Sequence, residues 1–275
     1  MLPGMLKETT YPRFSLSTEL TTEQVEFFEK NGFLHFDNFI NQETVQTLIR
    51  ESQEVQKQWL EQDVKKVNGV PIKFGVDVDG SRIVQRFAFT SLFSPFLHDF
   101  LKDERLQALL PLLDEEDARI GEYENDGVVM NHYINTKASE FTKMGWHTDS
   151  PRDIFHGKKI KPMLNVGICL DNSFSSNGGL RIIPGSHNQG LRSLFFRKKY
   201  YVDNDPDVNE VAIEAKAGDL TVHDGRLWHR VAQSPIIGAE SRRRIIYVPL
   251  ISGEYKPKDA NSPTAFYQRF LKLVK

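Results

Sequence analysis

Hydrophobic and polar positions change period along the chain. Near the N-terminus the spacing is helical. Thr21 and Gln24 form a capping-box pattern, and "TEQVEFFEK" then sets Val25, Phe28 and Glu29 at helical intervals. Asn31-Gly32 ends that helix, because glycine accepts a left-handed backbone. "FLHFDNF" reads as a short strand. Asn41 is an N-cap for a second helix, with Val45, Leu48 and Ile49 on one face and an end near Gln62. "SRIVQRFAF" reads as extended. "PFLHDFLKD" and "ERLQALLPLLD" read as two short helices, the second capped by Asp103.

From Arg119 the pattern changes to alternation. "RIGEYEN", "GVVMNHYIN", "PMLNVGICLD", "GGLRIIPG", "EVAIEAK", "GDLTVHD", "LWHRVAQ" and "RRRIIYVPLI" are short β-rich runs separated by turn signals. With no helix between them they predict an antiparallel sandwich or jelly roll, with the early helices packed outside. The expected fold is mainly β with flanking α-helices, in one domain over 1–275. Its parts are a mainly helical N-terminal part (1–118), a β core (119–250) and a C-terminal tail with a helix in "SPTAFYQRFLKLV" (251–275).

Composition narrows the classes. The chain of 275 residues is 39% hydrophobic and 26% charged, with a net charge of -2, which argues against a nucleic-acid-coating surface. Cys169 is the only cysteine, so neither an internal disulfide nor a thiolate zinc site is expected. No run approaches about 18 uncharged apolar residues, so no membrane span is expected. The start shows no apolar signal core. A cytoplasmic protein is the expectation.

Candidate chemistry begins with "MGWHTDSPRD". On a strand, His147 and Asp149 point the same way and can reach one metal. "LHFD" offers the same pattern at His35 and Asp37, so the pair by itself decides nothing. His229, at the start of the strand in "LWHRV", is the candidate third ligand; taken alone, it reads first as a hydrogen-bonded strand-end histidine. Two imidazoles and a carboxylate with open positions suit non-haem Fe(II) and oxygen chemistry. Beyond His229, alternation puts Arg243, Ile245 and Tyr247 on one face of a strand, with Arg242 and Arg244 on the other. An inward arginine needs an anion, and its planar fork suits a carboxylate. Three surface arginines are the plain alternative.

Several segments together resemble the phytanoyl-CoA dioxygenase family of Fe(II)/2-oxoglutarate-dependent oxygenases. They are "TTEQVEFFEKNGFLHFDNFINQETVQTLI", "WHTD", "NGGLRIIPGSH" and "AGDLTVHDGRLWH", in the family's order. The resemblance implies a double-stranded β-helix (cupin-like jelly roll). It also implies Fe(II) and 2-oxoglutarate, with ascorbate as a candidate reductant. It places the metal ligands, which are the catalytic residues, at His147, Asp149 and His229. It selects Arg243 for 2-oxoglutarate, with Arg242 or Arg244 as fallback. It sets His132 and Asn165 on cofactor-lining strands. The implied reaction is hydroxylation of a small molecule by O2, releasing succinate and CO2. Two departures stand out. Gly167 lies where a bulky side chain is expected, and Val231 stands where a small hydroxyl residue is common.

Other histidines have plainer readings. His187 supports a turn, His223 is a satisfied core or neighbouring group, and His98 is helix surface. His35 loses its claim because no partner strand is evident. His156 and "GKKIK" (157–161) belong to a candidate lid loop. Arg82, Gln85 and Arg86 either cross the pocket mouth or sit on a scaffold strand. The rival function is a non-catalytic or 2-oxoglutarate-independent cupin-like metal protein, a sensor or isomerase. A cupin enzyme normally needs His-x-His, which the chain lacks. It also lacks His-Glu-x-x-His, a phosphate loop and Gly-x-Ser-x-Gly.

Overall fold

The structure, a computed structural model, describes residues 11–139, 141–150 and 161–264. Most of the expected lid loop, including His156, and most of the expected C-terminal helix lie outside the described residues.

Two capped helices lead. Helix α1 (Thr22–Asn31) has the complete Thr21/Gln24 capping box and ends at Gly32, whose φ is 78°. Gly32 is required there twice over, since a Cβ would also meet the His187 ring at 2.4 Å. Helix α2 (Gln42–Glu61) is capped by the Asn41 side chain. The short helices are α3 (Pro95–Phe100), α4 (Glu104–Gln107) and α5 (Leu191–Phe196). Asp103 caps α4, as its position in the sequence predicts.

The strands are β1 (Phe33–Phe36), β2 (Lys66–Val67), β3 (Val70–Pro71), β4 (Lys73–Val76), β5 (Arg82–Phe87), β6 (Arg119–Ile120) and β7 (Val129–Tyr133). They continue as β8 (Met144–His147), β9 (Met163–Cys169), β10 (Gly179–Ile182), β11 (Val211–Ala212), β12 (Leu220–Asp224), β13 (His229–Ala232) and β14 (Arg243–Ile251). The major sheet runs β1-β12-β9-β14-β7-β5-β4, with β6 also on β14; the minor sheet runs β11-β10-β13-β8. The paired strands of both sheets are antiparallel. Two facing antiparallel sheets make the expected jelly roll.

Alternation divides the major sheet into two faces. Its outer residues, such as Val166, Val222, Ile246 and Val248, join Val45, Leu48, Val55 and Trp59 of α2 in one buried core. Its inner residues face the minor sheet and the cavity. The N-terminal part contributes more than helices, because β1, β4 and β5 are strands of the major sheet itself. Their partners lie far along the chain, so local periodicity does not reveal the pairing.

Candidate active site

The site lies between the sheets. His147 ends β8, and His229 begins β13 directly opposite it in register. Their ring centroids are 4.1 Å apart. Just past β8, the Asp149 backbone N–H donates to Gly225 O at 2.7 Å, which fixes the turn that presents the carboxylate. One ligand atom each from His147, Asp149 and His229 lies within 4.8 Å of the others. The sequence separates these three residues, and the strand register joins them.

The histidines are set up as neutral ligands. His147 Nδ1 bonds Gly145 O at 2.8 Å, and His229 Nδ1 bonds Leu227 O at 2.9 Å. A carbonyl only accepts, so each Nδ1 carries the proton and each Nε2 keeps its lone pair. Burial, and then the neighbouring His147 and His223, hold the His229 pKa well below its ordinary value. The Asp149 carboxylate accepts from Asn165 Nδ2 at 3.2 Å and lies 3.8 Å from His229 Nε2. Two neutral imidazoles and one oriented carboxylate form a donor set fit for Fe(II).

The three consecutive arginines separate cleanly. Arg242 Nη2 donates to Asp77 Oδ1 at 2.6 Å, and Arg244 grips both oxygens of Asp171 at 2.7 Å. Arg243, on the inner face, is 1% exposed, and its Nε and Nη1 have no acceptor among the described residues. It lies 5.5 Å from the Tyr133 ring. Burial lowers its pKa to about 10. A buried guanidinium with orphaned donors fits a carboxylate ligand.

His132 is a correction. It pairs with Arg244 in register, on the face opposite Asn131 and Tyr133, which line the cavity. Burial, and then Arg244 and Arg242, lower its pKa to about 4. The parity of β7 therefore gives the cavity Asn131 and Tyr133 instead. Of the two readings of His223, the neighbouring group holds and the satisfied core group does not, because neither ring nitrogen has a hydrogen-bond partner among the described residues. It stands beside the triad, 3.7 Å from Asp149 Oδ2. His187 meets its expectation by bonding Glu29 O, and His98 is paired with Glu122.

The second His-x-Asp pair has a different use. His35 lies in β1, which pairs with β12 after all. Together with Asp219, His35 and Asp37 form a second group of potential ligands. Their atoms are already engaged. His35 bonds the Tyr11 hydroxyl and Asp219 Oδ2, both at 3.1 Å, and Asp37 pairs with Arg13. Asp219 also accepts from the Asn38 and Lys216 amides. The group clasps β1 and the N-terminal arm to the barrel.

A cavity of about 660 Å³ opens from the triad. Tyr133, Phe141, Tyr201, Tyr247 and Phe74 supply its aromatic walls. Tyr247 occupies the space that Gly167 leaves, since a Cβ on Gly167 would lie 3.2 Å from its ring. Tyr201 stacks on His147 with centroids 4.8 Å apart, from a backbone held at φ 61°. Tyr201 carries no motif signal, because only tertiary contact brings its loop to β8. Arg86 of β5 lines the cavity, whereas Gln85 is buried and ties down the Phe141 backbone.

A jelly roll with a His-x-Asp pair facing a distal histidine defines the class of metal-dependent double-stranded β-helix proteins. More narrowly, the chain belongs to the phytanoyl-CoA dioxygenase (PhyH) family, whose model matches residues 28–235. Ectoine dioxygenase of Bordetella bronchiseptica is 25% identical over 181 residues, covering 65% of this chain and 53% of the relative. The chain thus spans about half the length of the curated relatives it matches. Among solved structures, EctD from S. alaskensis with 2-oxoglutarate and 5-hydroxyectoine superposes with a TM-score of 0.62 at 17% identity, covering 90% of this chain and 84% of that one. The non-heme alpha ketoglutarate dependent carbocyclase SnoK from nogalamycin biosynthesis gives 0.61 at 16%, covering 95% and 94%. At these identities the likeness is one of fold. No described helix is long and apolar enough to cross a membrane.

Proposed function

We propose that this chain is an Fe(II)- and 2-oxoglutarate-dependent dioxygenase that hydroxylates a C–H bond of a small organic molecule. The observation that supports the reading is the buried Arg243, whose Nε and Nη1 find no acceptor among the described residues, on the inner face of the major sheet, across the barrel from the minor-sheet strands that carry His147 and His229. His147, Asp149 and His229 would hold the metal, and Arg243 the distal carboxylate of 2-oxoglutarate. When bound, Fe(II) and 2-oxoglutarate would supply the oxidising chemistry, O2 and the keto acid being consumed to give succinate, CO2 and a hydroxylated substrate.

The chain's own residues prepare that step. The Gly145 and Leu227 carbonyls fix both imidazoles in the ligand tautomer. Asn165 orients the Asp149 carboxylate. Tyr133 and Tyr247 stay protonated, because burial raises both pKa values. The aromatic walls exclude water and hold one C–H bond near the metal ligands. Epimerases and carbocyclases share this fold. Hydroxylation is preferred here because the curated relatives are named ectoine dioxygenases and EctD, which shares the fold, was crystallised with 2-oxoglutarate and 5-hydroxyectoine.

The test is to mix purified protein with Fe(II) and 2-oxoglutarate without oxygen, then admit air. The expected results are a visible charge-transfer band and then succinate, both absent in His147→Ala. Failure to bind 2-oxoglutarate in the presence of metal would overturn the reading and favour a 2-oxoglutarate-independent metal protein.

A further inference from the structure

Neither the triad residues nor Arg243 lie on the cavity wall furthest from β9. Strands β4, β5 and β7 form that wall. Arg86, Asn125, Asp126, Asn131 and the exposed Lys73, whose Nζ lies 4.3 Å from the Phe141 ring, are its polar groups, and the exposed Lys143 is a further cation of the lining.

Arg86 is the principal feature. Its side chain is 18% exposed, and one Nη2 N–H donates to Asp126 Oδ2 at 2.8 Å. Among the described residues no other acceptor meets the guanidinium, so most of its N–H groups remain for a ligand. Asp126 also lies 3.9 Å from Lys258 Nζ, so two cations share its charge. The ion pair therefore does not exhaust the positive charge at this wall.

Asn131 is the cross-strand partner of Arg86 and projects from the same face. It is 5% exposed, and its Nδ2 donates to the Tyr133 hydroxyl at 3.2 Å. Its Oδ1 has no donor among the described residues. A buried acceptor without a donor carries a desolvation cost that a ligand N–H or O–H removes. A cation with spare donors and an orphaned acceptor thus stand side by side on adjacent strands. Phe74, Phe141, Tyr133 and Tyr247 line the route from there to the triad.

We propose that the substrate oxidised at this site is an organic acid. Arg86 holds its carboxylate, a hydroxyl or amino group beside it donates to Asn131 Oδ1, and its apolar body lies along the aromatic wall. This deepens the oxygenase reading and rests on it. The strand carrying Arg86 is three steps from β9, whose Asn165 touches Asp149. At about 4.8 Å per step the span is roughly 14 Å between strand axes. Several carbons therefore separate the carboxylate from the C–H bond that reacts.

The experiment loads the protein with Mn(II) and the inert 2-oxoglutarate analogue N-oxalylglycine. Short- to medium-chain aliphatic and aryl acids, their 2-hydroxy and 2-amino derivatives, and the matching primary amides are then titrated calorimetrically. The expected result is that acids bind about ten-fold or more tightly than their amides. Arg86→Gln should erase that preference, and Arg86→Lys should keep part of it. Equal binding of acids and amides, no binding of any acid, or an intact preference in Arg86→Gln overturns the proposal. N-oxalylglycine affinity is measured in each protein. Its loss in the native chain sinks the 2-oxoglutarate reading, and its presence in Arg86→Gln shows that the variant is folded.

Discussion

Replacing Arg243 with methionine should weaken 2-oxoglutarate binding yet leave the ligand-free fold at least as stable. The guanidinium is 1% exposed, with Nε and Nη1 unsatisfied. An uncompensated buried charge costs several kcal/mol. The Tyr133 ring, 5.5 Å away, returns about 1 kcal/mol of that. Methionine fills much of the same space and needs no partner. The ligand-free melting temperature should therefore hold or rise. With ligand the sign reverses. Losing a buried, hydrogen-bonded charge pair costs about 3–5 kcal/mol, or roughly two to three and a half orders of magnitude in Kd. Thermal denaturation with Mn(II) reads both effects. At about a hundred times its Kd, 2-oxoglutarate stabilises the native chain by about 2.7 kcal/mol. For a chain this long that is about 5–10 °C. The variant should shift by about 1 °C. Arg244→Met is the control, because Arg244 is already paired with Asp171. Retention of most of the shift in Arg243→Met, or its loss in Arg244→Met, would refute the assignment of the 2-oxoglutarate carboxylate to Arg243.

The remaining predictions concern the triad, its rival and the cavity wall. His147→Ala should lose stoichiometric Mn(II) binding by paramagnetic resonance, with succinate falling to background. His35→Ala should retain metal and succinate but lose about 2–3 kcal/mol of stability in urea, because Asp219 loses its buried ring partner. Gly167→Ala places a Cβ 2.9 Å from Thr221 Oγ1 and 3.2 Å from the Tyr247 ring. That overpacking should cost about 1–3 kcal/mol by the same denaturation. Tyr201→Gly should be about 1 kcal/mol more stable than Tyr201→Ala, since only glycine accepts a positive φ without cost; equal melting temperatures would remove the strain argument.

Much of this protein is written in short-range pattern. Thr21, Asn41 and Asp103 mark helix starts because capping needs only neighbouring residues. Period-2 alternation exposes β7, β9, β12 and β14, and strand parity alone sets Arg243 apart from Arg242 and Arg244. The spacing of His147 and Asp149 is legible for the same reason. Tertiary structure decided everything that depends on which strands meet. It set His147 opposite His229, gave His35 to Asp219 and gave Asp77 and Asp171 to the flanking arginines. It also turned His132 away from the cavity and brought Tyr201 onto His147. Periodicity says which face a side chain takes relative to its own strand. Strand order and register say what lies across from that face, and they are settled by packing between segments far apart in the chain.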